Sequence, residues 1–89
     1  MTSSFSKDPD ARLNYGIDWA AWLSEDTIAE SVWIVPAGLT SDGDSSTVTA
    51  TSVVLAGGTA GQQYRVTNRV TTGEGLIDDR SITIFVLER

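Results

Sequence analysis

Apolar and polar residues alternate along most of the chain with a period of two, the mark of strands buried on one face. From residue 13, Leu13, Tyr15, Ile17 and Trp19 fall on one side, with Asn14, Gly16 and Asp18 on the other. The run Trp19-Ala20-Ala21-Trp22-Leu23 breaks that alternation, and Ser24-Glu25-Asp26-Thr27 follows as a turn signal, so the strand is expected to end in a bulge or a single turn. Residues 28–35 resume extended character, with Val32 and Ile34 opposite Trp33 and Val35, and Pro36 and Gly38 close the segment. The longest alternation follows Gly57-Gly58-Thr59-Ala60-Gly61. There Tyr64, Val66, Asn68 and Val70 share one face, and Arg65, Thr67, Arg69 and Thr71 the other. Residues 81–87 repeat the pattern, with Ile82, Ile84 and Val86 against Ser81, Thr83, Phe85 and Leu87.

The intervening segments carry weaker patterns. Residues 1–12 are polar apart from Phe5, with Pro9 between Asp8 and Asp10, and read as an extended N-terminal arm. An isolated aromatic in such an arm either docks on a partner or folds back on its own domain. Residues 26–29 have room for one helical turn. Residues 40–46 read as a polar loop around the Asp42-Gly43 step, and residues 47–51 as a polar, β-branched edge strand. Residues 52–56 lead into the glycine turn, whose glycines suit positive φ or close backbone approach. Residues 71–79, with Gly73, Gly75, Glu74, Asp78 and Asp79, read as a second glycine-bearing loop. Six or seven short, evenly spaced strands argue a sandwich or small barrel, and the separation of some partners suggests Greek-key connections. The expectation is an all-β chain: a small immunoglobulin-like β-sandwich of about seven strands over residues 13–89, preceded by the arm of residues 1–12.

Composition narrows the chemistry. A chain of 89 residues is one small domain with a modest core. It has no cysteine, hence no disulfide or thiolate metal site, and no histidine, hence no imidazole base or ligand. Small domains without such staples often complete their stability by assembly. Twelve acidic residues against six basic ones leave a net charge of −6, which argues against nucleic acid or an anionic membrane as partner. No apolar run approaches the length of a bilayer span, and the N-terminus lacks a signal pattern, so a soluble protein made in the cytoplasm is expected.

No motif carries catalysis. Asp42-Gly43-Asp44 lacks the later ligands of a calcium loop, and the Gly57–Gly61 turn lacks the lysine and helix of a phosphate loop. Glu25-Asp26 and Asp78-Asp79 are adjacent loop acids of the kind usually solvated. Neither an enzyme nor a cofactor or metal site is expected. Arg65 and Arg69 share a strand face, where ion pairs across the sheet compete with contact to a partner's carboxylates. Trp19 suits the centre of the core, by analogy with immunoglobulin-like domains, and Tyr64 suits a tyrosine corner. Three tryptophans exceed what so small a core needs, which makes Trp22 or Trp33 an interface candidate.

Several segments taken together resemble a known family. Lys7-Asp8-Pro9-Asp10-Ala11 leads into Leu13-Asn14-Tyr15-Gly16-Ile17-Asp18-Trp19, with Trp22-Leu23 and Asp26-Thr27-Ile28 after it. Leu55-Ala56-Gly57-Gly58-Thr59-Ala60-Gly61, Tyr64-Arg65-Val66-Thr67-Asn68-Arg69-Val70-Thr71-Thr72 and Asp79-Arg80-Ser81-Ile82 complete the set. This resembles the small proteins of tailed bacteriophages described as phage fibre–tail adaptor proteins, over nearly the whole chain. The resemblance implies a virion structural component that binds other virion proteins (tail, connector, fibre or capsid) in a multi-copy assembly. Two placements compete: an adaptor joining tail or connector to fibres or spikes, and a head decoration protein on the capsid lattice. A third reading is a carbohydrate-binding module using Trp22 or Trp33. The candidate partner contacts are Phe5, Pro9, Trp22, Trp33, Arg65 and Arg69.

Overall fold

The computed structural model describes residues 2–87. Seven strands and one helical turn follow in the order β1 (Thr2–Lys7), β2 (Arg12–Asp18), α1 (Ala20–Leu23), β3 (Ile28–Ile34), β4 (Leu39–Ser46), β5 (Ala50–Gly57), β6 (Gln63–Thr72) and β7 (Ile77–Val86). They form two sheets, one ordered β1-β7-β6-β3 and the other β2-β5-β4. Each sheet buries one face against the other, so the period-two pattern is the direct imprint of a sandwich. The β5 strand shows it cleanly: Thr51, Val53 and Leu55 are buried, and the residues between them are half-exposed. The main core gathers Tyr15, Leu39, Val53, Leu55, Val66, Ile82, Ile84 and Val86; a second cluster joins Trp19, Leu23 and Val70. Each fully buried aliphatic side chain contributes roughly 1.5–3 kcal/mol relative to exposure.

The expected seven-stranded, immunoglobulin-like β-sandwich is the architecture found, but several boundaries move. Within the segment 1–12 expected to be an extended arm, Thr2–Lys7 form strand β1, paired in parallel with β7 from Thr2 opposite Ser81 to Lys7 opposite Val86. Its polar sequence hides this because the pairing is carried by backbone hydrogen bonds; Lys7 is buried, and Phe5 keeps 37% exposure. Phe5 lies 5.1 Å from the Tyr15 ring, so it folds back on its own domain. Lys7 is fully buried, and its Nζ donates to the carbonyls of Asp8 at 2.9 Å and Gly57 at 2.7 Å. Burial lowers its pKa from the ordinary lysine value, and the charges of Asp8 and Asp10 oppose that shift.

The polar loop expected at residues 40–46 is instead strand β4, in which Leu39 alone is buried. The expected strand at 47–51 is a turn, closed by Thr47 N–H to Ala50 O at 2.8 Å, and β5 begins at Ala50. The β6 and β7 strands run into the expected loop and leave only residues 73–76 as the connection. Residues 19–23 take the single-turn alternative as α1, and no helical turn forms at 26–29. The Asp42-Gly43 step forms a bulge rather than a turn: the β4–β5 register shifts between Ser41 and Asp44, and Gly43 has φ +128°.

Two details fix the halves together. Asn68 sits fully buried on the inner face of β6; its Oδ1 accepts from Trp19 Nε1 at 3.0 Å and Thr51 Oγ1 at 2.6 Å. Its Nδ2 donates to Ser31 Oγ at 3.0 Å and Val32 O at 3.1 Å. Both sheets thus meet on one amide whose polar groups are all used, which is the condition for a buried polar group to stabilise. At the opposite end, Tyr64 at the start of β6 accepts the Thr59 N–H on its hydroxyl at 2.9 Å, the geometry of a tyrosine corner.

Candidate docking surfaces

The six residues singled out from the sequence do not converge on one surface. Phe5 rests against the Tyr15 ring and is otherwise exposed on β1, and Pro9 is half-buried in the turn that carries β1 to β2, where Ala11 N–H closes on Asp8 O at 3.0 Å. Trp33 points into the sandwich from β3 and packs on the main core, its Nε1 buried with no hydrogen-bond partner among the described residues. Trp22 stands on α1 at the far end of the molecule, edge-on to Trp19 at 5.3 Å.

Arg65 and Arg69 share the outer face of the four-stranded sheet but differ in circumstance. Arg69 makes a bidentate pair with Asp79 directly across on β7, at 2.8 and 3.0 Å. This is the cross-sheet ion pair weighed from the sequence, and it holds the Asp79 carboxyl below its ordinary pKa. Arg65 lies opposite Thr83 and is exposed. Around it the face carries threonine and serine, with Phe85 on β7 and Val32 and Ile34 on β3 as exposed large apolar side chains. Arg80 is also committed: its guanidinium lies 4.3 Å over the Trp19 ring, and Nη1 donates to Asp18 O at 3.0 Å.

The structure brings together a surface that sequence reasoning missed. The α1 turn, residues 47–49 and residues 73–76 come to one pole, the end away from the tyrosine corner. Trp19 N–H donates to Thr49 O, Ile28 N–H to Val48 O and Gly73 N–H to Thr27 O, each at 2.9 Å. Val48, Leu76 and Ile77 stand exposed there. The signal lay in the sequence as apolar residues inside turn segments, Val48 within a threonine run and Leu76-Ile77 between glycine and aspartate.

No group of three or more metal-capable side chains occurs among the described residues, and none of their helices is long and apolar enough to cross a membrane. The surface offers contact chemistry: apolar side chains, threonine hydroxyls and carboxylates.

The fold is similar to that of two solved structures. The PKD domain from the KIAA 1837 protein superposes with a TM-score of 0.60 at 17% identity, over 99% of this chain and 81% of that one. The 2,6-sialyltransferase of Vibrionaceae Photobacterium sp. JT-ISH-224 gives a TM-score of 0.59 at 13% identity, over 99% of this chain. This chain spans 18% of that enzyme's length. At such identities the likeness speaks for the sandwich and for nothing chemical. No curated protein matches the chain. A family model does, from the buried Lys7 to Phe85 on β7, taking in every strand of both sheets except most of β1. By that match over residues 7–85, the chain belongs to the family of the podophage GP4 fiber-tail adaptor protein gp77.

Proposed function

We propose that the protein is a non-enzymatic virion component that joins the tail or connector of a podophage to its fibres or spikes through protein–protein contacts. The observation that carries this reading is the family match, which spans residues 7–85 and so includes β2 to β6, nearly all of β7 and the loops that connect them. The structure supports it in kind. Its body measures 42 × 23 × 18 Å, with exposed contact chemistry at a pole and on a sheet face, a shape suited to bridging two neighbours. Assembly into the particle in several copies also suits a small domain with neither disulfide nor metal to stabilise it.

Quantitative mass spectrometry of purified virions tests the reading. An adaptor follows the low-order symmetry of the tail, and its signal segregates with isolated tails after head and tail are separated. A copy number that tracks the major capsid protein would overturn it in favour of head decoration. Absence from the particle would remove both.

A further inference from the structure

We propose that the loop pole is the surface by which this protein docks a partner, and that the partner presents an apolar depression rimmed by lysine or arginine. The proposal rests on the adaptor reading and assigns one of its two contacts to a place.

The first observation is exposure. Ile77 is 63% exposed, and Val48 and Leu76 are each 59% exposed, the three highest values among the large apolar side chains described. They come from separate segments of the chain, so their arrival at one pole follows from the fold, whereas scattered single exposures need no explanation. Trp22 lies half-buried on α1 at the same end, with its ring packed on Trp19.

The second observation is order. Leu76 is held at both its backbone groups, donating N–H to Thr72 Oγ1 at 3.0 Å and accepting Thr72 N–H at 2.8 Å. The Gly75 N–H closes on Thr72 O at 3.0 Å, while Val48 is pinned through its carbonyl to the first residue of β3. An apolar surface on pinned backbone loses little conformational entropy when it binds.

The third observation is charge, and it chooses the occupant. Glu25, Glu74 and Asp78 are exposed on the segments that meet at this pole, and Asp26 lies half-buried among them, accepting the Thr27 N–H at 2.8 Å. The arginines near it are engaged, Arg69 with Asp79 and Arg80 with Trp19 and the Asp18 carbonyl. A second copy docking pole to pole would set carboxylates against carboxylates with no available cation. A basic rim around an apolar depression satisfies both parts of the surface, and its charges would steer the approach.

The test uses purified phage particles assembled without this protein, to which purified protein is added and binding read by co-sedimentation. The wild-type chain is expected to bind, more weakly at 500 mM than at 50 mM NaCl. The doubles L76S/I77S and E74K/D78K, both at exposed positions, are expected to bind at least tenfold more weakly with thermal unfolding close to wild type. Phe85→Ser, on the outer sheet face, is expected to bind normally. Folded pole variants that sediment with particles as wild type does would overturn the docking assignment while leaving the adaptor reading intact. A wild-type chain that does not bind particles would overturn the adaptor reading and this inference with it. Self-association of the wild-type chain, abolished by L76S/I77S, would overturn the basic partner.

Discussion

Trp19 donates its indole N–H to Asn68 Oδ1 at 3.0 Å, and through that bond the segment following β2 is tied to β6 of the opposite sheet. Asn68 has no apolar substitute at this position, because its amide also receives Thr51 and reaches Ser31 and Val32. Asn68→Leu removes the shared acceptor of Trp19 and Thr51, leaving that buried pair only its own 3.3 Å contact, and strips Ser31 and Val32 O of their donor, at about 1–3 kcal/mol for each buried group left unsatisfied. The expected loss is about 3 kcal/mol or more, read as a lower urea midpoint followed by tryptophan fluorescence. An unchanged midpoint would show that the network contributes nothing.

The two glycines of the β5–β6 turn separate two effects that are usually mixed. Gly58 has φ +98°, and a Cβ there would sit 2.6 Å from Val86 Cγ2 and 3.2 Å from Leu39 Cδ2. Gly61 has φ +86° with nothing within 4 Å. Gly61→Ala therefore meets only the left-handed backbone penalty, about 1–2 kcal/mol. Gly58→Ala adds a clash with the core, and its total is expected to exceed about 3 kcal/mol. Thermal melts of the two variants side by side check the difference; equal losses would contradict it.

Tyr64→Phe removes only the hydroxyl that receives the Thr59 N–H. The expected cost is about 1 kcal/mol, or roughly 4–8 °C in Tm for a domain of this size. Calorimetry of the variant measures it.

The strand β1 changes what truncation should do. Had residues 1–12 been a free arm, their removal would leave the domain untouched. Instead Thr2–Lys7 pair with β7, Phe5 sits beside Ile84 and against the Tyr15 ring, and Lys7 caps the Gly57 carbonyl. Deleting residues 2–6 is expected to lower stability by about 2 kcal/mol or more, from the loss of one apolar contact and the exposure of core around it. Chemical denaturation of the shortened chain decides, and full stability would restore the arm.

The Arg69–Asp79 pair predicts a pH signature. The arginine holds the Asp79 carboxyl below its ordinary pKa of 3.8. A depressed carboxylate pKa contributes stability that is present above the unfolded value and lost as the pH falls through the folded one. The wild-type chain should therefore lose stability relative to Asp79→Asn only below about pH 4, with the two profiles parallel at neutral pH. The effect is modest because both groups are exposed, and it shrinks in high salt. A difference in slope near pH 7 would assign the effect elsewhere.

Legibility in the sequence followed burial. The β6 and β7 strands read clearly because one face of each is core: Val66, Asn68 and Val70 on the first, Ile82, Ile84 and Val86 on the second. The β4 strand read as a loop because Leu39 is its one buried residue, so nothing in its pattern distinguishes a paired edge from a turn. The β1 strand was hidden for a different reason. Its partner lies some eighty residues away, and parallel pairing through the backbone leaves no local trace. Trp19 could be placed in the core by analogy with immunoglobulin-like domains, and the Arg69 ion pair could be weighed from its place on the strand face. The loop pole could not, since it depends on which connections the sheets bring to the same end.

The parallel pairing of β1 with β7 has a mechanical consequence. The described chain begins at one end of this pair and ends at the other, with Thr2 beside Ser81 and Lys7 beside Val86. Tension applied through the two chain ends pulls the strands past each other along their length. All six register pairs are then loaded together, where an antiparallel terminal pair pulled the same way would open one bond at a time. A bead built this way carries load as a lap joint does.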